Sequence, residues 1–490
     1  MGNGSLQSRL GAALRLVGLA AAIAVSGCSA IDSTPINQTS PVAGKPSPDA
    51  MPDPTDDGST IVALAFSGGG TRAAAFAYGA LLELDTLIID DHPRERSLVD
   101  DVRSVAGTSG GAVMAAYLGY KGKDEFVDFR ERFLEQNAEA YMRTSPNPAN
   151  LMTAAMQGGA NDRSSFGRWL DERLFDGKTY AAFEKPDRPI VWITASDIYN
   201  KTPFLFTQDT FSALCSDLDQ IKIADAVAAS AAVPVVFAPV VLNTPTKGEC
   251  NYRRPAWLQK ALESDNPSIR LQAYARALDS YQSKDELKYV RLLDGGLTDN
   301  LGVSGLSLER AAAATPYAPL SAHQAARLHN FLFIVTDAGV DGQYDWGASP
   351  KNPHLGKILR SVADTTIAAS TGHGFDAVDL TLNEWQQQLI RYRCGLSTAQ
   401  VLRYRGTLVG WNCRDVVVTT EHLTFRDADP SLYRRLNDIP TRLRLDKAQV
   451  ELVIAAGREA VQRNPNIQKV AREARQRSRI FDAIGPQARN

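Results

Sequence analysis

Val105-Ala106-Gly107-Thr108-Ser109-Gly110-Gly111-Ala112 runs from a short apolar strand, through a turn with one serine at its apex, into a helix of small residues ending near Leu118. Within it, Gly107-Thr108-Ser109-Gly110-Gly111 fits the G-x-S-x-G pattern, in which a strained strand-to-helix turn lifts a serine oxygen above a sheet. Glycines flank the serine because a Cβ at those positions clashes with neighbouring backbone.

Composition narrows the function classes. The 490 residues are 44% hydrophobic and 22% charged, ordinary for a globular chain with a large core. Lys plus Arg (53) nearly balances Asp plus Glu (55), so no basic field points to nucleic acid as a partner. No C-x-x-C or histidine cluster reads as a metal site, and no metal or cofactor is expected.

The N-terminus reads as targeting sequence. Arg9 and Arg15 precede the apolar run Leu16 to Val25, which has signal-peptide length, and Val25-Ser26-Gly27-Cys28 follows directly. This resembles the lipobox of bacterial lipoproteins, which implies lipidation of Cys28 and anchoring to a membrane of the cell envelope. Ser29 in place of aspartate implies sorting to the outer membrane. On this reading residues 1–27 are a signal peptide. Residues 28–58, rich in Pro, Ser, Thr, Asp and Asn, are expected to form a disordered tether. Cys215, Cys250, Cys394 and Cys413 remain, an even number in an exported chain. Pairing of neighbours, Cys215 with Cys250 and Cys394 with Cys413, is the expected connectivity among three.

The folded body opens with the apolar strand Thr60 to Phe66, then Ser67-Gly68-Gly69-Gly70-Thr71-Arg72 and an alanine-rich helix to Leu84. Glycines at a helix start offer free N–H groups to a phosphate or a developing oxyanion. Gly68-x-Gly70-x-x-Ala73 also satisfies a dinucleotide fingerprint, with Asp90 about twenty residues on, but Asp90 reads as part of a polar turn rather than the end of a second strand. The looser stretch Ser145 to Asn161 could cover a site, with Leu151, Met152, Ala155 and Met156 suited to lipid. A charged helical insertion is expected over 247–288. Val290 to Leu293 ends in Asp294-Gly295-Gly296, which places a carboxylate at the end of a buried strand. A further strand is expected over Leu332 to Thr336, a long helix over His354 to Thr371, and strands over Val416 to Thr420 and Leu423 to Phe425. A last helix opens at Asp446, and the basic tail after Pro465 reads as a solvated helix face.

Four blocks in order resemble the patatin-like phospholipase family: Ser67-Gly68-Gly69-Gly70-Thr71-Arg72, Gly107-Thr108-Ser109-Gly110-Gly111, Ala229-Ser230-Ala231-Ala232-Val233-Pro234 and Asp294-Gly295-Gly296. The resemblance implies a three-layer α/β/α sandwich with a mostly parallel central sheet, helical insertions, and a catalytic core over 59–345, followed by an extension over 346–490. It implies a Ser109–Asp294 dyad without histidine, and an oxyanion hole from Gly68, Gly69, Gly70, Thr71 and Arg72. Ala73 stands where that loop usually has another glycine. Arg72 is left between orienting the loop, facing an anionic head group, and an ordinary surface role. The implied activity is hydrolysis of phospholipid or lysophospholipid esters. Two alternatives stay open: a Ser-Asp-His triad through His373 or His422, and a catalytically silent lipid-binding lipoprotein.

Overall fold

The computed structural model describes residues 31–41, 45, 58–92, 94–143, 156–246, 250–264, 268–282, 287–341, 350–353 and 355–484. Its centre is an 8-stranded sheet. The strands are β1 (Thr60–Phe66), β2 (Val102–Thr108), β3 (Ile190–Asp197), β4 (Thr202–Leu205), β5 (Val240–Asn243), β6 (Tyr289–Leu293), β7 (Asn330–Asp337) and β8 (Val417–Thr424). Their order is β8-β7-β1-β2-β3-β6-β5, with β4 also paired to β3. The pairs from β8 to β3 are parallel, and β4, β5 and β6 add antiparallel pairs.

Alternation along the strands builds the layers. In β1, Val62, Leu64 and Phe66 enter one core while Ile61, Ala63 and Ala65 enter another, and in β7 Leu332 and Ile334 separate from Phe331, Phe333 and Val335 in the same way. A sheet buried on both faces must be covered by helices on both faces, which gives the three-layer α/β/α arrangement. One face carries α1 (Gly70–Leu84), α2 (Gly110–Lys121) and α3 (Ile223–Ser230). On the other lie α4 (Ser304–Ala312) and the second half of α5 (Leu355–Cys394).

The C-terminal segment completes the body. Helix α6 (Lys447–Arg463) lies so close on α1 that a Cβ at Gly79 would strike the Ile454 carbonyl and one at Gly457 the Phe76 carbonyl. Only glycine permits backbone approach of this kind. Helix α7 (Pro465–Ile484) buries Ile467, Val470, Ala471 and Ala474, and pairs its basic side through Arg475 and Arg479 with Asp91. A solvated basic face thus accounts for the charge after Pro465.

Several elements differ from the sequence reading. Helix α5 reaches Cys394 rather than Thr371, because Val378, Leu382, Trp385 and Leu389 continue a buried stripe at helical spacing. The two expected strands near 416–425 are the one strand β8. Asp90 does end a strand, Ile88–Asp90, but that strand forms a separate hairpin with Arg96–Ser97 and lies outside the main sheet, so the dinucleotide geometry is absent there.

The largest difference is the tether. Residues 31–41 lie along the body, with the Ile36 N–H bonded to the Val241 carbonyl (3.0 Å), the Ser40 N–H to the Cys215 carbonyl (2.7 Å), and a short bridge from Thr39 to Ser216. Asn37, only 3% exposed, exchanges backbone and amide hydrogen bonds with Asn243. Apart from Ile36, which packs against the core, the polar composition gives little hydrophobic reason to dock. Reciprocal hydrogen bonding between Asn37 and Asn243 adds to that contact.

Candidate active site

Ser109 is the hinge between β2 and α2, with φ 52° and ψ −119°. A non-glycine residue at positive φ stores strain that the surroundings must hold. They do so by close approach of glycines: a Cβ at Gly110 would meet Gly70 backbone, one at Gly111 the carbonyls of Phe66 and Ser67, and one at Gly107 the Gly111 carbonyl at 2.6 Å. The glycine spacing read in the sequence therefore has a direct steric cause. Ser109 itself is 7% exposed at the carboxyl end of the parallel strands.

Asp294 follows β6 and is 4% exposed. Burial pushes its carboxyl up from the ordinary value to about 6, against the opposing pull of the Gly296 N–H and of the Ser109 hydroxyl nearby. The Gly296 N–H donates to one carboxyl oxygen at 2.8 Å. A carboxylate with raised proton affinity beside a strained serine hydroxyl is placed to accept its proton near neutral pH.

The third block is the mount for both. The Ser230 hydroxyl accepts the Ser109 N–H at 2.8 Å and donates to the Thr194 carbonyl at 2.6 Å. Its backbone carbonyl takes the Gly295 N–H at 3.0 Å, while the Ala232 carbonyl takes the Asp294 N–H at 2.9 Å. One short helix end thus fixes the elbow to the strand end that carries the carboxylate.

The glycine loop lies against Ser109: a Cβ on Gly68 would stand 3.4 Å from the Ser109 Cβ. Its donors divide. The Gly68 N–H is bonded to the Asn300 carbonyl (2.9 Å) and the Thr71 N–H to the Arg442 carbonyl (2.8 Å), so these two are not available to an oxyanion. Gly69, with φ 138°, and Gly70, with φ 63°, precede or open α1, and their N–H groups have no partner among the described residues. Of the five residues expected from sequence, Gly68 and Thr71 are thus already engaged, which leaves Gly69 and Gly70 as the glycine donors of the loop. Arg72 is not at the surface. It is 4% exposed, gives Nε to the Ala338 carbonyl (3.0 Å) and Nη1 to the Ile439 carbonyl, and burial pushes its guanidinium down to about 10. Its burial rules out the ordinary surface role, and its two bonds tie the loop to the end of β7 and to the C-terminal segment.

Neither candidate histidine joins the pair. His422 bonds to Asp337 (3.2 Å) and stacks on Phe375, with ring centroids 4.5 Å apart. His373 is exposed on α5, and no hydrogen bond or ion pair joins it to Ser109 or Asp294 among the described residues, although its neighbours Ser370 and Thr371 touch the site. Sequence reasoning gave Asn300 no role, yet its side-chain oxygen would lie 2.6 Å from a Gly68 Cβ and 3.1 Å from a Gly296 Cβ, and its amide donates to Thr371 at 2.9 Å. Its place six residues beyond Asp294 carries no local signal. Cys215 is joined to Cys250 and Cys394 to Cys413, with Cα separations of 6.0 and 4.9 Å. Cys28, Leu151, Met152 and Ala155 lie outside the described residues, while Met156 is 78% exposed.

No curated protein matches this sequence significantly. Among solved structures, the chain is similar to human GIVD cytosolic phospholipase A2, with 13% identity and a TM-score of 0.40, over 86% of this chain and 64% of that one. It is also similar to VipD from Legionella pneumophila, with 10% identity and a TM-score of 0.32, over 87% of this chain and 71% of that one. A third likeness is to the ExoU–SpcU complex from Pseudomonas aeruginosa, with 13% identity and a TM-score of 0.22, over 92% of this chain and 90% of that one. The chain spans less than two thirds of the human protein's length. The sequence itself matches the family model for patatin-like phospholipase over residues 64–306, a span that holds all four blocks and both members of the Ser109–Asp294 pair. On that match, residues 64–306 of this chain belong to the patatin-like phospholipase family.

Proposed function

We propose that the protein is a membrane-anchored serine acyl hydrolase that cleaves carboxylic esters of phospholipids or lysophospholipids. The observation that carries this reading is the buried Asp294, its proton affinity raised to about 6, beside the hydroxyl of a strained Ser109. Asp294 accepts the Ser109 proton as the serine oxygen attacks the ester carbonyl. The Gly69 and Gly70 N–H groups take the oxyanion, each such donor contributing about 3–4 kcal/mol in comparable sites. Asp294 returns the proton to the departing alcohol, leaving an acyl group on Ser109. Water then attacks the acyl-enzyme, again giving its proton to Asp294, which returns it to the Ser109 oxygen as the fatty acid leaves.

The lipobox-like Val25-Ser26-Gly27-Cys28 supports lipidation of Cys28 and residence in the bacterial cell envelope, with Ser29 favouring the outer membrane. Two or more acyl chains make such an anchor long-lived. The test is fatty-acid release from phosphatidylcholine and lysophosphatidylcholine by the parent protein, Ser109→Ala and Asp294→Asn. Release that persists at parental rate in Ser109→Ala overturns the assignment. A protein that binds both lipids and releases nothing would instead be a silent lipid-binding lipoprotein.

A further inference from the structure

Residues 31–41 form a strap whose first anchor points lie next to the catalytic mouth. The Ile31 N–H donates to the Gln157 side chain at 3.0 Å, the Asp32 N–H to the Asp162 carboxylate at 2.6 Å, and the Asp32 carboxylate pairs with Arg163 at 2.8 Å. Gln157 and Asp162 flank the strand Gly159–Asn161, which pairs in parallel with Val235–Phe237. That second strand begins three residues after Ala232, whose carbonyl holds the Asp294 N–H.

The same small region exposes apolar side chains. Met156 is 78%, Val235 52% and Val236 40% exposed. Val235 is β-branched and held at φ 73°, a conformation such residues avoid unless the surroundings impose it. Here the Asn161 amide fixes the next carbonyl, that of Val236, at 3.1 Å. Strap anchor, apolar tip and catalytic strand end are therefore one connected unit.

Chain length decides what this unit meets. Cys28 and Ile31 are three residues apart, a distance the chain spans with at most about 11 Å. A lipid-modified Cys28 on a free leash of thirty residues would leave the body free to tumble; pinned at Ile31 and Asp32, it cannot.

We propose that the strap fixes the catalytic mouth against the bilayer that holds the lipid anchor, with Met156, Val235 and Val236 seated in the lipid surface. This rests on the acyl hydrolase reading and on lipidation of Cys28. The anchor then does two things: it retains the protein, and it orients the site toward lipids of its own membrane.

The test uses the full-length lipidated protein in its membrane, with about twelve flexible Gly and Ser residues inserted between Ala30 and Ile31. Lipid release from that membrane should fall about tenfold, while cleavage of a soluble short-chain ester and fluorophosphonate labelling of Ser109 stay at parental levels. In a second arm, Cys28→Ser protein should sediment with phosphatidylethanolamine–phosphatidylglycerol vesicles, and Met156→Asp/Val235→Asp/Val236→Asp should weaken that about tenfold. Aspartate tolerates positive φ, so the variant keeps the Val235 turn. Unchanged release after the insertion, equal sedimentation of the triple variant, or conversion of a dimer to a monomer by it would each overturn the proposal. Loss of Ser109 labelling in the parent would mark failure of the hydrolase reading, and an unmodified Cys28 would mark failure of the anchor.

Discussion

The Ser230 hydroxyl receives the N–H of Ser109 at 2.8 Å, so the residue at the apex of the elbow is held by a side chain from a helix more than a hundred positions downstream. With no acceptor there, the buried N–H of a strained residue would have no partner. Ser230→Ala is therefore expected to lower stability by about 1–3 kcal/mol. It should also cut kcat about tenfold or more, because the nucleophile is no longer held in line with Asp294. Chemical denaturation and steady-state ester hydrolysis on the same preparations check both.

Asp294 sets the pH dependence. Its folded value of about 6 lies above the ordinary carboxylate value of 3.8, so the folded protein holds this proton more tightly than the unfolded chain. Its contribution to stability is fully present below the unfolded value and is lost as pH rises through about 6. Activity runs the other way, since the base must be ionised: kcat/KM should rise with pH on a limb whose apparent pKa is about 6.

Asp294→Asn separates the two effects. Asparagine keeps an acceptor for the Gly296 N–H and removes the buried charge. Its kcat should fall by roughly 10³-fold or more, while its melting temperature at pH 8 exceeds that of the parent. A variant that lost both activity and stability would place Asp294 in the structure rather than in the chemistry.

Gly69 tests the reduced oxyanion hole. Its φ of 138° suits glycine alone, and an added Cβ would press on the Ala73 Cβ at 3.2 Å. Gly69→Ala should cost about 10²–10³ in kcat with KM little changed. Thr71→Ala, by contrast, keeps a backbone N–H already bonded to Arg442 and should leave kcat within a few-fold of the parent.

The bridge between Cys394 and Cys413 closes a loop that positions a buried cation. Arg393, 2% exposed, donates to the carbonyls of Leu328 and Asn412 and pairs with Asp415. Cys394→Ser/Cys413→Ser should lower stability by about 2–4 kcal/mol. Ser109 labelling should persist in the folded fraction, as measured by denaturation and by probe incorporation at low temperature.

What the sequence made legible follows a physical rule. The elbow at Ser109 was readable because its strain demands glycines at fixed local spacing, and the strands were readable because β1 and β7 are apolar on both faces. Positions set by distant partners were not readable. Arg72 looks like a surface charge until Ala338 and Ile439 bring carbonyls to it, and Gly68 looks like a free donor until Asn300 takes its N–H. Residues 31–41 have the composition of a tether, yet Asn37 meets Asn243 across 206 positions, a pairing with no local signature. The pairing of the four cysteines was readable because sequence neighbours close the shortest loops.

The central claim is that Ser109 is the nucleophile and Asp294 the base that activates it. The most direct measurement is the rate of covalent labelling by a fluorophosphonate, followed by intact mass and peptide mapping, across pH 5 to 8 as well as in Ser109→Ala and Asp294→Asn. The expected result is a single adduct on Ser109, a labelling rate that rises with an apparent pKa of about 6, and its collapse in both variants. An adduct on another residue, or labelling of Ser109 at parental rate in Asp294→Asn, would contradict it.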